Sequence, residues 1–178
     1  WALNRPLLGL LAALGFSASF ALSGHGQALP APGLAPWAVG IHVMIASFWI
    51  AAPLCLWPRS ALNHETLETR LQRVSRIAIV AVPLLFVAGV WLAWRLAGGF
   101  VPLVASEYGN LLLIKLAVAV VALGLGAFNK QVVTAMLSRA PARGRVWLTR
   151  TLAGETLAFV LALLLVGWAT TMTGPPEP

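Results

Sequence analysis

Aspartate is absent from this chain of 178 residues, and cysteine occurs only once, as Cys55. A single cysteine excludes an internal disulfide and any metal site built on a pair of cysteines. The sequence also has no GxSxG, HExxH or phosphate-binding loop motif, which argues against a hydrolase or a nucleotidase. Charged residues make up only 10% of the chain. Water is therefore not the main solvent of this protein.

Apolar residues dominate what is present: they make up 60% of the chain, and its mean hydropathy is +0.87. A helix that crosses a hydrocarbon layer needs roughly 20 mostly apolar residues. Five runs of about this length occur, approximately at residues 6–24, 36–57, 77–96, 111–128 and 152–173. They are too long for barrel strands and show no two-residue alternation. We predict an all-α fold, a polytopic transmembrane helical bundle of five spans that forms a single membrane domain over residues 1–178.

Positive charge is distributed unevenly between these runs. Segments 58–76 and 129–151 hold most of the Lys and Arg residues, whereas segments 26–35 and 97–110 hold none. Because cytoplasmic loops of membrane proteins are enriched in Lys and Arg, we predict a cytoplasmic N-terminus, cytoplasmic basic segments and a periplasmic C-terminus. The same pattern explains the net charge of +7. The expected partner of this charge is the lipid bilayer, and we expect no nucleic acid.

The first apolar run follows Arg5 and has some features of a signal peptide. It is long, however, and its end lacks an A-x-A cleavage site. The chain also begins with Trp1 rather than methionine. We therefore expect a mature helix, in the C-terminal part of a longer protein.

Two histidines fall on the predicted outer side of the bundle. His25 ends the first run, and His42 lies about two turns into the second. Helices joined by a short loop pack antiparallel, which would bring both imidazoles into one layer. Met172 lies at the outer end of the fifth run. Because imidazole and thioether ligands suit Cu(I) above all, we predict a metal site of His25, His42 and Met172 that binds Cu(I) or Cu(II).

Two other interpretations of these histidines stay open. His25 and His42 could be the axial ligands of a b-type haem, in which case the protein would be an electron-transfer oxidoreductase. Alternatively, His25 meets water and His42 bonds a neighbouring carbonyl, in a scaffold subunit without a site. Unless haem is bound, we expect no enzymatic activity.

Three further ionisable residues are candidates, because charged groups are costly at membrane depth. Lys115 lies about one turn into the fourth run, shortly after Glu107, and it either pairs with that carboxylate or snorkels to the surface. Glu155 lies near the cytoplasmic start of the fifth run. We predict that Lys115, Glu155 and Glu107 form a polar pathway through the bundle. Without an ATP-binding motif, transport along it would be passive.

Three segments of the sequence resemble the copper resistance protein D family: RVSRIAIVAVPLLFVAGVWLAW, ASEYGNLLLIKLAVAVVALGLGAFNK and TRTLAGETLAFVLALLLVGWATTMTGPP. The resemblance covers about residues 71–176. Its cues are Arg73, Arg76, the Tyr108-Gly109 pair, Lys115, Asn129 and Glu155. Upstream, His25 and the pair of His42 and Trp49 are similar to further family segments.

This resemblance implies a multi-pass protein of the bacterial inner (cytoplasmic) membrane that works with a periplasmic copper-binding protein. It implies copper binding and a role in copper uptake or transfer across the membrane. Family members usually have more helices than the five predicted here, which implies further helices ahead of this chain.

Overall fold

The computed structural model describes residues 4–23, 29, 31–57 and 64–173, and leaves the side chains of residues 4–6 and 64–66 undescribed. Within these residues all regular secondary structure is helical, and no strand occurs. The predicted all-α class is therefore confirmed.

Three helices form the first half of the fold. α1 spans Asn4–Ser23, α2 spans Ala35–Leu56 and α3 spans His64–Leu96. Proline stands in the first turn of α2, where a missing N–H removes no helical hydrogen bond. α3 has 33 residues, so residues 64–76, ahead of the predicted span at 77–96, belong to the same helix.

The second half consists of a short helix followed by two long helical stretches. Its elements are α4 (Phe100–Ala105), α5 (Glu107–Phe128), a π-helical turn (Asn129–Val133), α6 (Thr134–Arg139), α7 (Pro141–Trp168) and a second π-helical turn (Ala169–Thr173). Ala140 separates the two stretches with φ −142° and ψ 75°. The residue before a proline is sterically displaced from the α region, which explains the break. The predicted basic loop at 129–151 is thus mostly helix.

Four of these stretches are long and apolar enough to cross a membrane, and a shorter apolar helix, Leu7–Ser23, lies within α1. The four are Ala35–Leu56, Leu67–Leu96, Glu107–Arg139 and Pro141–Thr173. Their outward faces carry many exposed large apolar side chains, as helices in lipid require. A multi-pass helical membrane protein is therefore supported. The fifth span and the orientation of the termini stay predictions.

The long helices run antiparallel and give the bundle two distinct ends. We call one the His42 end: the start of α2, the end of α3, all of α4 and the start of α5 meet there. We call the other the basic end: it holds the end of α2, the start of α3, α6 and the start of α7.

Two buried apolar clusters hold the bundle together. The central cluster consists of Ile45, Trp49, Val82, Leu85, Ala122, Ala158 and Phe159. The basic-end cluster consists of Leu56, Leu67, Leu71, Val133, Leu137, Leu148 and Leu152. In the central cluster, the rings of Trp49 and Phe159 pack edge to face with centroids 5.2 Å apart. This ring pair joins α2 to α7 across the middle of the bundle.

Candidate functional site

Three helices bring His42, Gly89 and Lys115 to one depth. His42 lies seven residues from the start of α2, Gly89 lies seven residues from the end of α3, and Lys115 lies eight residues from the start of α5. At 1.5 Å per residue, each is about 10–12 Å below the His42 end. Lys115 is also near enough to act electrostatically on the imidazole. The structure thus places two of the predicted site residues in one layer.

The imidazole of His42 packs directly against α3. A Cβ atom placed on Gly89 would lie 3.1 Å from Cε1 and 3.6 Å from Nδ1 of His42, so a larger residue there would press on the imidazole. Nδ1 is buried and has no hydrogen-bond partner among the described residues. Because neutral imidazole binds metals through an unprotonated ring nitrogen, Nδ1 is the candidate ligand atom.

His25 lies outside the described residues. The position of His42 on α2 limits where a ligand shared by the two histidines would lie. α1 packs on Gly40, where an added Cβ would lie 3.2 Å from Cβ of Ala21. His42 follows two residues later, about 200° further around the helix, and faces α3 instead. A ligand that joins His25 to His42 would therefore have to sit beside α3 and not between α1 and α2.

Arg95 connects the chain after α1 to that same side of the bundle. Its Nη2 donates a 2.7 Å hydrogen bond to the backbone oxygen of Ala31, across 64 positions of sequence. This bond ties the α1–α2 connection to the end of α3. Sequence reasoning did not find this contact, because a lone arginine at a helix end is usually explained by snorkelling.

Met172 and Glu107 are placed less centrally. Met172 lies in the second π-helical turn and is 69% exposed. Glu107 is exposed in the first turn of α5, eight residues before Lys115. That separation is about 12 Å along the helix, which is too far for an ion pair. No ion pair joins these two described side chains.

Glu155 belongs to a second polar site, in the basic half of the bundle. It is 4% exposed and accepts a 2.7 Å hydrogen bond at Oε1 from Nδ2 of Asn129. The hydroxyl of Thr151 in turn donates to Oδ1 of Asn129. Asn129 is the first residue of the π-helical turn, whose backbone oxygen also accepts a 3.0 Å bond from Thr134. The π-helical turn and α7 therefore meet at one buried carboxyl group.

A cavity of about 1000 Å³ lies beside Glu155, between α2, α3, α5 and α7. Its deep walls are apolar and include Trp49, Val82 and Phe86. Towards the basic end its lining is mixed: leucines and Val74 stand beside the polar residues Gln72, Ser75, Arg76, Asn129, Lys130, Gln131, Thr134 and Glu155.

The two polar sites are separated by the central cluster. Leu85 belongs to this cluster and also faces the ring of His42, while Val82 and Trp49 line the deep wall of the cavity. Among the described residues, apolar side chains of the central cluster lie between Lys115 and Glu155. The role of Lys115, Glu155 and Glu107 in transport stays a prediction.

Neither a complete metal cage nor a haem site is apparent in the described ranges. They contain no group of three or more His, Cys, Asp or Glu side chains that could hold a metal ion. A site centred on His42 must therefore recruit other ligands, such as His25 or a methionine. No observation on these residues favours the b-type haem alternative, since the imidazole lies flush against α3 at Gly89.

The comparisons with known proteins place this bundle in a family. The family model described as copper resistance protein D matches residues 68–169, more than half of the 178 residues. No match was found among curated proteins or among solved structures. The matched range contains Gly89, Lys115, Asn129 and Glu155, and His42 lies ahead of it. The chain belongs to the copper resistance protein D family.

Proposed function

We propose that this protein binds copper at the His42 end and supports its transfer across the inner membrane. Membership of the copper resistance protein D family makes it a membrane protein related to copper resistance. The binding site, the transfer role and the inner-membrane location are our proposal. The observation that carries the site is the buried Nδ1 of His42, which has no hydrogen-bond partner.

A buried nitrogen without a hydrogen-bond partner is energetically unfavourable inside a membrane bundle. Leaving a buried polar atom unsatisfied costs about 1–3 kcal/mol, so such atoms are uncommon unless a ligand completes them. Nδ1 has no partner among the described residues and is therefore the candidate ligand atom. The close approach of α3 at Gly89 holds the ring in place. This arrangement suits a soft or borderline ion that accepts imidazole nitrogen, as copper does.

His25 and Met172 complete the proposed ligand set. The bond from Arg95 ties Ala31, shortly before α2, to the end of α3, the helix that His42 faces. Met172 is exposed at the same end and would offer a thioether. A periplasmic copper-binding protein would deliver the ion to this end, in agreement with the predicted orientation. Lys115 would oppose a second positive charge in the layer, which favours Cu(I) over Cu(II).

Replacing His42 tests the site directly. We expect His42→Ala to weaken Cu(I) binding by about 100-fold, since it removes the only imidazole that the described residues place in the layer. Affinity is measured by competition with a chromophoric Cu(I) chelator on protein in lipid nanodiscs. His64→Ala is the matched control, because His64 begins α3 at the opposite end. Equal affinities for wild type and His42→Ala would refute the site. A Soret band in the purified protein that is lost in His42→Ala would favour haem instead.

Replacing Arg95 tests whether the connection after α1 contributes to binding. Arg95→Gln shortens the side chain and removes the bond to the Ala31 oxygen. We expect it to lower Cu(I) affinity by about tenfold, within the range seen when groups that orient ligands are lost. Arg76→Gln, at the basic end, should leave affinity unchanged. If both variants bind copper like wild type, His25 is not held in place by this bond.

A further inference from the structure

We propose that the carboxyl group of Glu155 is a proton-binding site that exchanges protons with the basic end of the bundle through the adjoining cavity. Nothing in the copper site requires this group, because the central cluster separates the two. The proposal rests on the proposed function only in its last step, which links protons to copper.

The hydrogen bonds around Glu155 leave one carboxyl oxygen unused. Oε1 accepts from the Asn129 amide, and the described residues offer no hydrogen bond to Oε2. Glu155 nevertheless lines the cavity, and Oε2 is not among the fully enclosed atoms that lack a partner. Oε2 is therefore the atom that meets the cavity. A proton taken up there from water would convert the carboxylate to the acid while the Asn129 bond to Oε1 stays in place.

A metal ion does not suit this site. Copper and zinc take three or four ligands, and a hard ion such as Mg²⁺ takes six. The Asn129 amide oxygen is already occupied by the Thr151 hydroxyl, and its nitrogen donates to Glu155. One free oxygen remains, and the described part of the chain offers no cluster of three metal-binding side chains. A single oxygen that lies beside a cavity is a site for one proton.

The cavity supplies the route for that proton. Along α3 its lining runs from Leu71 to Phe86, about 22 Å by helical rise. The polar lining residues lie towards its basic end, and Arg76 from α3 and Lys130 from the π-helical turn are the cations among them. Exposed apolar residues, Ile79, Pro83 and Leu123, line it nearer the middle of the bundle. The lining residues from α2 carry no charge. Glu155 and these two cations line the same cavity, which gives the proton a route towards the basic end.

In an apolar bundle, binding a proton at Glu155 changes the charge of the interior by one. When Glu155 is protonated, the bundle no longer bears the energetic cost of a charged side chain at membrane depth. When Glu155 is ionised, its negative charge attracts a cation from the far side of the central cluster. If copper crosses the bundle as proposed above, its movement is then coupled to proton release at the basic end. The two claims are tested separately, because proton binding at Glu155 is measured without copper.

A hydrophobic carbodiimide detects the protonated form of the Glu155 carboxyl group. It reacts with carboxylic acids and forms a stable adduct in apolar surroundings. Dicyclohexylcarbodiimide is added to wild-type protein in nanodiscs across a pH series, and adducts are mapped by mass spectrometry. We expect one adduct at Glu155 whose yield falls about tenfold per pH unit once the acid ionises. No adduct at any pH, or a yield that does not change with pH, would overturn the proposal.

Two variants keep this experiment interpretable. Glu155→Gln should abolish the adduct, while Glu107→Gln, which removes an exposed carboxylate, should retain it. If Glu155→Gln does not fold, Thr151→Val offers a milder change, since it keeps the carboxyl but releases Asn129. We expect Thr151→Val to shift the pH at which the adduct is half-maximal. Retention of Cu(I) affinity in these variants would separate the proton site from the copper site.

Access by water is tested with a cysteine beside the carboxyl. Ala127 lines the cavity one residue after Gly126, whose added Cβ would lie 4.0 Å from Oε1 of Glu155. In a Cys55→Ala background, Ala127→Cys should react with a small, charged methanethiosulfonate reagent. Reaction only with an uncharged maleimide would mean that lipid fills the cavity. That outcome would contradict proton exchange with the basic end.

Discussion

Gly109→Ala should destabilise the protein severely, although alanine normally stabilises a helix relative to glycine by about 1 kcal/mol. Gly109 lies in the first turn of α5, where α4 turns back on it. A Cβ at this position would lie 2.2 Å from the backbone oxygen of Leu103 and 2.6 Å from its carbonyl carbon. These are backbone atoms of a buried residue, so no side-chain rotation relieves the clash.

The cost of relieving this clash exceeds the gain in helix propensity. α4 would have to move away from α5, and this would break the Ser106 cap. In that cap the Ser106 hydroxyl accepts a 3.0 Å bond from the Gly109 N–H and donates a 2.6 Å bond to the Pro102 oxygen. We expect a loss of about 3 kcal/mol in free energy of unfolding, at the upper end of the usual cost of overpacking. The fall in Tm should be roughly 6–12 °C.

Thermal unfolding in detergent or nanodiscs measures this loss. The matched control is Gly124→Ala on the same helix, where an added Cβ meets nothing within 4 Å. That variant should be as stable as wild type, or more stable by up to about 1 kcal/mol. Equal stability of the two variants would show that α4 does not pack on α5 as described.

Helical class and approximate spans were predictable because hydrocarbon imposes them directly. In lipid every backbone polar group must be paired within its own segment, so long apolar runs leave few alternatives to helix. The ends of the helices were less predictable. The basic residues of 129–151 indicated a loop, yet the chain continues as helix on both sides of Ala140, since charge near the membrane surface does not oppose helix formation.

The two sites differ in how far the sequence could predict them. His42 and Glu155 stand out because ionisable residues are rare in apolar runs, and the resemblance also included Asn129. Their partners depend on helix rotation, which the weakly amphipathic runs do not specify. The approach of Gly89 to His42 is a property of packing and leaves no local signal. The predicted partner His25 lies outside the described residues.

The partnership of Asn129 with Glu155 could have been anticipated from the proline step. In an antiparallel helix pair, residues at similar distances before and after the turn face one another. Leu137 and Gly144 lie at equal distances from the Ala140-Pro141 step, and they are in contact. The same rule places Glu155 opposite Gly126, one turn from Asn129. The turn at Pro141 therefore sets the register of the polar cluster, which consists of Asn129, Thr151 and Glu155.

We expect the second large effect from Gly144→Ala, because Gly144 lies at the contact that sets this register. A Cβ on Gly144 would lie 2.8 Å from both Cα and N of Leu137, again a contact with backbone. Both residues are buried where α6 turns into α7. To admit a methyl group, the two helices must separate by several tenths of an ångström at the point that sets their register. We expect a loss of about 2–3 kcal/mol in free energy of unfolding.

Gly144→Ala should change the geometry of the polar cluster as well as lower the stability of the protein. Along the same two helical stretches, Asn129 lies about two turns from Leu137 and Glu155 about three turns from Gly144. Their 2.7 Å hydrogen bond weakens with a small displacement. Gly144→Ala should therefore change the pH dependence of carbodiimide labelling at Glu155. The control is Gly167→Ala on α7, where an added Cβ meets nothing within 4 Å. It should change neither the stability nor the labelling. A destabilised Gly144→Ala protein that labels like wild type would mean that the cluster keeps its geometry independently of the turn.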